Sequence, residues 1–265
     1  MRFAWATDVH FEFATVDVVA AFCERIIALA PDGLLLTGDI AQATSIERYL
    51  RALDRVLPLP IYFVLGNHDF YHGSIAGVRA AVDAVVSQTT HLTWMSRVGV
   101  IPLTADTALI GHDGWADARC GDYASSRVLL NDYRLIQELT GLAPEERRAA
   151  LERLGDEAAA HFARALPEAL ARHRHVIALT HVPPFPEASW YQGRIADPDW
   201  LPHFCSAAVG EVFVRVMDEH PDNDLLVLCG HTHTGGPVQI RPNLRVLVGS
   251  AAYGRPEIQE ILEVE

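Results

Sequence analysis

Asp8-Val9-His10, Gly38-Asp39, Gly66-Asn67-His68-Asp69, Thr180-His181 and Gly230-His231-Thr232-His233 gather carboxylates, imidazoles and one amide into five short stretches. Imidazole and carboxylate together suit borderline divalent or trivalent ions such as Mn, Fe, Zn or Ni. Asp8, His10, Asp39, Asn67, His181, His231 and His233 make seven candidate ligands. That is too many for one ion with open positions, and about right for two ions sharing a bridging carboxylate. Two ions roughly 3.5–4 Å apart clamp the attacking and leaving oxygens of a displacement at phosphorus. They would also bring local positive charge to a chain whose net charge is −13.

Each stretch follows an apolar run of strand length. Arg2–Thr7, Leu34–Thr37, Ile61–Leu65, Val176–Thr180 and Leu225–Cys229 read as strands. Between the first three, helices are expected over Asp17–Ala30, with Val19, Phe22, Ile26 and Ala30 on one face, over Ser45–Val56, and then over Ser74–Val86. Pro31-Asp32-Gly33 stops the first helix, and Pro58 with Pro60 closes the second. Strand and helix in alternation predict a parallel α/β core. In open α/β sheets, sites form at the carboxyl ends of strands, so the five stretches are expected at one edge. Further strands are expected near Val98–Ile101 and Thr107–Gly111, a mainly helical insert over about 112–172, a helix over Val209–Glu219, and an antiparallel pair over Val238–Ile240 and Arg245–Val248.

With 265 residues, half of them hydrophobic, the chain can bury a large core as one domain, 1–265. All 21 basic residues are Arg. Net negative charge and no basic patch argue against a nucleic-acid partner. The four cysteines are far apart and form no CxxC pair, which reads as reduced thiols. No apolar run approaches the roughly 20 residues that span a bilayer, and the N-terminus goes directly into MRFAWATDVH, so a cytoplasmic protein without membrane contact is expected.

The ordered set DVH (8–10), GD (38–39), GNHD (66–69), TH (180–181) and GHTH (230–233) resembles the calcineurin-like metallophosphoesterase superfamily. The resemblance implies a four-layer αββα sandwich with two mixed β-sheets. It implies one metal held by Asp8, His10 and His233, a second held by Asn67, His181 and His231, and Asp39 bridging them together with a water or hydroxide. It also implies that His68 acts on the leaving group while Asp69 orients it. The partner would be a small-molecule phosphate ester, monoester or diester, attacked by the metal-bridging hydroxide.

Departures narrow the choice. Leu65 precedes Gly66, and Ile40-Ala41-Gln42 follows Asp39, where protein Ser/Thr phosphatases of the superfamily carry Arg and Asp-Arg-Gly. Gln42 stands where purple acid phosphatases place a metal-binding Tyr. His181-Val182-Pro183-Pro184 is similar to bacterial cyclic-nucleotide phosphodiesterases, which makes that activity the alternative; the prolines also serve to rigidify a loop. A catalytically silent scaffold would show damaged ligands or a replaced His68, and none is missing. For substrate contacts, Tyr71 and His72 lie beside the GNHD stretch, and HDGWADARCGDY (112–123) offers Trp115 for stacking and Arg119 for a phosphate oxygen.

Overall fold

Side chains alternate along each strand, and that alternation sets the layering. The computed structural model describes residues 1–265. Its first half runs β1 (Arg2–Ala6), α1 (Val16–Leu29), β2 (Gly33–Thr37), α2 (Ile46–Val56), β3 (Ile61–Val64), α3 (Ile75–Val86) and β4 (Leu92–Trp94). Then come β5 (Ile101–Pro102), β6 (Thr107–Gly111), α4 (Asp132–Leu135), α5 (Pro144–Leu170) and β7 (His175–Leu179). The chain continues through β8 (Trp190–Tyr191), β9 (Arg194–Ile195), α6 (Leu201–Phe204), α7 (Ala207–Glu219) and β10 (Asp224–Cys229), and ends with β11 (Pro237–Arg241), β12 (Leu244–Val248) and β13 (Ile258–Glu263).

One sheet has the order β13-β1-β2-β3-β4, with β13 antiparallel to β1 and the other pairs parallel. The other has the order β11-β12-β10-β7-β6-β5, parallel in its four central strands and antiparallel at both edges. Phe3, Trp5, Leu35 and Val64 of the first sheet meet Leu109, Ile177, Leu179, Leu228 and Leu247 of the second in a core between the sheets. The alternate residues face outward to helices. Ala4, Leu34, Leu36 and Phe63 pack with Phe22, Ile26, Leu50 and Val82 of α1 to α3. Ala108, Ile110, Val176 and Val227 pack with Phe162, Leu166, Val209 and Phe213 of α5 and α7. A side-chain period of two thus yields three apolar interfaces, which make the expected four-layer αββα sandwich.

Helix starts follow their caps. Thr15 Oγ1 accepts from the Val18 N–H at 3.4 Å and Ser74 Oγ from the Gly77 N–H at 3.0 Å, so Ser74 caps α3 rather than opening it. The stretch expected to be a mainly helical insert divides. No helix forms over 112–131, α4 is a single turn, and α5 packs beside α7 as the outer layer of the second sheet. Sequence patterning did not mark β4 or β13, and the strand expected at Val98–Ile101 is confined to Ile101–Pro102.

Candidate metal centre

β1, β2 and β3 are parallel neighbours, as are β7 and β10 in the facing sheet, so the five stretches that follow them share one edge. Backbone bonds tie them together. The Asp8 N–H reaches Gly38 O at 3.1 Å, the His10 N–H reaches Asp39 O at 2.9 Å, and the Gly230 N–H reaches His181 O at 2.9 Å. Between the sheets, the His231 N–H donates to the Asp8 carboxylate at 3.1 and 3.2 Å. To turn their side chains back over the strand ends, Asp8, His10, Asp39, His231 and His233 all adopt left-handed backbone, with φ of 48°, 40°, 50°, 72° and 57°. Such conformations cost of order 1–3 kcal/mol each and cluster at functional sites. Glycines give the loops room: a Cβ on Gly230 would collide with the Asp8 carboxylate, and one on Gly66 with Asp39 and His181.

The side chains form two adjoining groups. In one, His10 Nε2 lies 3.0 Å from His233 Nε2 and 3.7 Å from Asp39 Oδ2, and His233 Nε2 lies 3.4 Å from Asp8 Oδ1. In the other, Asn67 Oδ1 lies 3.2 Å from His181 Nε2 and 3.0 Å from His231 Nδ1, and His181 Nε2 lies 3.4 Å from Asp39 Oδ2. Asp39 Oδ2 faces both groups, while its Oδ1 accepts from the His68 N–H at 2.8 Å. Bonds of about 2.0–2.2 Å around one ion imply ligand-to-ligand edges of about 3 Å.

Hydrogen-bond accounting shows that these atoms want a cation. His181 Nδ1 donates to Thr37 O at 2.9 Å, and His231 Nε2 donates to His203 O at 2.9 Å. With no proton on its inner nitrogen, either ring would turn a bare lone pair toward Asn67 Oδ1. The Asn67 amide could relieve this by flipping, but its Nδ2 is held outward by Asp132 Oδ1 at 2.8 Å. Tyr71 Oη bonds the same carboxylate oxygen at 2.7 Å. Acceptors facing acceptors are stable only around positive charge.

Titration tells the same story. Burial works against a charged His181, yet the Asp39 and Asp8 carboxylates raise it to about 10, making a proton the smallest cation that answers the field. Burial also opposes charge on Asp39, but the surrounding imidazoles hold it well below the usual carboxylate range. Burial and the nearby His181 push His231 down to about 4.

His68 lines the cavity beside this cluster, stacked on Tyr71 with ring centroids 4.2 Å apart, and burial pushes its pKa down. Asp69 does not orient it. The 3₁₀ turn over Asn67–Phe70 points Asp69 backward: Oδ1 accepts from the Ile40 and Ala41 N–H groups, each at 2.8 Å, and Oδ2 accepts from the Gly66 N–H at 2.7 Å. Asp69 is a clamp between two loops. The carboxylate beside His68 is that of Glu12, 3.6 Å from His10 Nδ1; its buried oxygens and His68 Nδ1 make no hydrogen bond.

Of the expected substrate contacts, Tyr71 lines the cavity and three others do not. Trp115 is buried in the first-sheet core, its ring 5.6 Å from that of Phe70. Arg119 is taken up by Asp117 at 3.2 Å and Asp156 at 2.7 Å. His72 is exposed outside the cavity, its N–H bonded to Leu135 O. The proline pair after His181 anchors a loop, with Pro183 O accepting from the Ser206 N–H at 2.9 Å. Sequence reading missed Asp132, Glu12 and Tyr253. The Tyr253 ring stands 4.7 Å from His10 and 5.1 Å from His233, and nothing in its stretch, GSAAYGRP, marks it.

Residues 1–235 match the family model described as calcineurin-like phosphoesterase. No curated protein matches the chain significantly. Among solved structures, a phosphopantetheinyl hydrolase from Mycobacterium tuberculosis aligns with a TM-score of 0.67 at 15% identity, over 96% of this chain and 90% of that one. A dimetal phosphatase from Danio rerio aligns with a TM-score of 0.56 at 15% identity, over 94% of this chain and 87% of that one. At such identity the two structures establish a shared fold. No helix is long and apolar enough to cross a membrane.

Proposed function

The chain belongs to the calcineurin-like phosphoesterase family, and on that premise we propose that it hydrolyses a small-molecule phosphate ester at a centre of two metal ions. The observation that carries this reading is the ring of acceptors around Asn67 Oδ1, His181 Nε2 and His231 Nδ1, with the amide locked against flipping. In this reading Asp8, His10 and His233 hold one ion, Asn67, His181 and His231 hold the other, and Asp39 serves both. Mn, Fe, Zn or Ni all suit these donors. Bound there, the ions would supply Lewis acidity toward a phosphoryl oxygen and lower the pKa of water.

The chain's own residues do the rest. Strand ends fix the donors, so little reorganisation accompanies the reaction. In this reading the His68 N–H donates to the oxygen that leaves phosphorus as it gains charge; His68 lines the cavity, and burial favours its neutral form. Stacking on Tyr71 holds the ring in place.

The test is metal content of the purified protein together with turnover of p-nitrophenyl phosphate and bis-p-nitrophenyl phosphate, with metal added and after chelation. The expectation is about two ions per chain and activity abolished by chelation. His68→Ala should lower turnover by about 10²–10⁴-fold while both ions stay bound. Failure to bind metal when it is supplied would overturn the centre. Two bound ions with no ester cleaved would overturn the hydrolase and leave a metal-binding scaffold.

A further inference from the structure

Between β7 and α7 the chain makes an excursion, residues 182–206, whose strands join neither main sheet. It carries the β8–β9 ribbon, turned by Gln192 and Gly193 with φ of 51° and 78°, the positive values that a tight hairpin requires. α6 follows. Three rings from this excursion form one wall. Tyr191 lies 4.5 Å from Trp200, and Trp200 stacks on Phe204 at 5.2 Å with 28° between the planes. Phe204 in turn stands edge-on to His231 at 5.4 Å, so the wall begins at a candidate metal ligand. All three rings line the same cavity of about 420 Å³ as His68 and Tyr71, a volume within the usual range for a small-molecule site.

Tyr191 and Trp200 remain only half-buried. Flat rings kept open beside a polar site offer area for stacking. Charge narrows the ligand further. Thirteen residues line the cavity, none of them Arg, and the chain has no Lys; Asp132 is among the thirteen. A ligand charge remote from the metal donors would find rings and a carboxylate and no cation.

We propose that Tyr191, Trp200 and Phe204 form a subsite for a flat aromatic group, a nucleobase or an aryl ring, carried by a phosphate diester whose single charge sits at the reacting phosphoryl group. The proposal rests on the phosphoesterase reading above and adds the substrate class.

Three diesters with one leaving group and one charge test it: methyl p-nitrophenyl phosphate, bis-p-nitrophenyl phosphate and thymidine 5′-(p-nitrophenyl) phosphate. Stacking of the group that stays on phosphorus should lower KM for the two esters that carry a second ring by roughly tenfold relative to the methyl ester, whose one ring is the leaving group common to all three. Trp200→Ala should bring the three KM values within about twofold of one another, and Trp200→Phe should keep most of the preference. A lead for the thymidine ester identifies a nucleobase; a lead for the bis ester identifies an aryl ring. Equal KM values in the unaltered protein overturn the subsite and leave the phosphoesterase reading standing, and this comparison decides even if Trp200→Ala does not fold. Calorimetric binding of the three esters reads the subsite without turnover. If none is cleaved although metal is bound, tighter binding of the two esters with a second ring upholds the subsite while the hydrolase reading falls, and equal binding of all three overturns both.

Discussion

Asp132→Asn is the sharpest probe of how the centre is built. Asp132 is 4% exposed, and its Oδ1 accepts from Asn67 Nδ2 at 2.8 Å and from Tyr71 Oη at 2.7 Å. Asparagine keeps the shape and one acceptor oxygen but removes the charge. A hydrogen bond to a charged group contributes about 1.5–3 kcal/mol and a neutral one about 0.5–1.5, so two bonds together lose about 2 kcal/mol. That loss falls on the orientation of the Asn67 amide. Once loosened, the amide can turn its NH₂ toward the lone pair of His231 Nδ1, a state that suits the metal-free protein and opposes metal. Affinity at the site containing Asn67, His181 and His231 should therefore drop by about 10–100-fold, as is usual when a residue supporting a ligand is changed. The site containing Asp8, His10 and His233 has no contact with Asp132, and its affinity should change by less than about threefold. Competition of Mn or Zn against a chromophoric chelator resolves the two steps, and a denaturant melt of the chelated variant controls for folding. Equal weakening of both sites, or of neither, would refute the idea that Asp132 works by orienting Asn67.

Other expectations follow from the same geometry. Asp69→Ala strands three backbone N–H groups at Ile40, Ala41 and Gly66, so it should lose about 3 kcal/mol or more of stability in urea melts, rather than behave as a pure loss of His68 function. Arg119→Ala acts away from the cavity, so kcat/KM should stay within about twofold, but it leaves the fully buried Asp117 carboxylate without its cation, so stability should fall by about 3 kcal/mol. Phe162→Ala empties a fully buried position in the helix-facing core of the second sheet and should cost about 3–5 kcal/mol in the same melts. The chelated protein should be most stable near pH 6.5. His181, raised to about 10, contributes stability present below its unfolded pKa and lost as pH rises from about 6.5 through 10. His112 and His203, pushed by burial to about 3 and about 4, contribute stability that is lost as pH falls from about 6.5 through those values. Melting temperature against pH, with and without metal, reads both limbs, and a flat profile would contradict the assignment.

Much of this centre was legible because each donor follows an apolar run within a few residues, and Asp39, Asn67 and His231 each follow a glycine. Such signals are local, and parallel strands bring their ends together without further instruction. Asp132 was hidden for the opposite reason. It acts on Asn67 from 65 residues away, and LLNDYRL carries no mark of that contact. Asp69 misled because sequence adjacency to His68 is not proximity once a 3₁₀ turn points the two side chains apart. Trp115 and Arg119 looked like a substrate loop since aromatic and Arg among glycines fits either a site or an anchored crossing; only packing distinguishes them. β13 escaped because IQEILE breaks the two-residue alternation, and its partner β1 lies at the other end of the chain. The wall of Tyr191, Trp200 and Phe204 needed a hairpin turn and a one-turn helix to assemble, and neither has a period to read.

The seven candidate donors begin at Asp8 and end at His233, and they are divided between two sheets. During synthesis, β1 to β3 and the loops that carry Asp8, His10, Asp39 and Asn67 are made long before His181, His231 and His233 have left the ribosome. Each proposed ion needs ligands from both sheets, so a half-made chain offers neither of them a complete shell. On the proposed ligand set, then, metal capture would have to wait until the two halves have met, and a bound ion would certify that meeting.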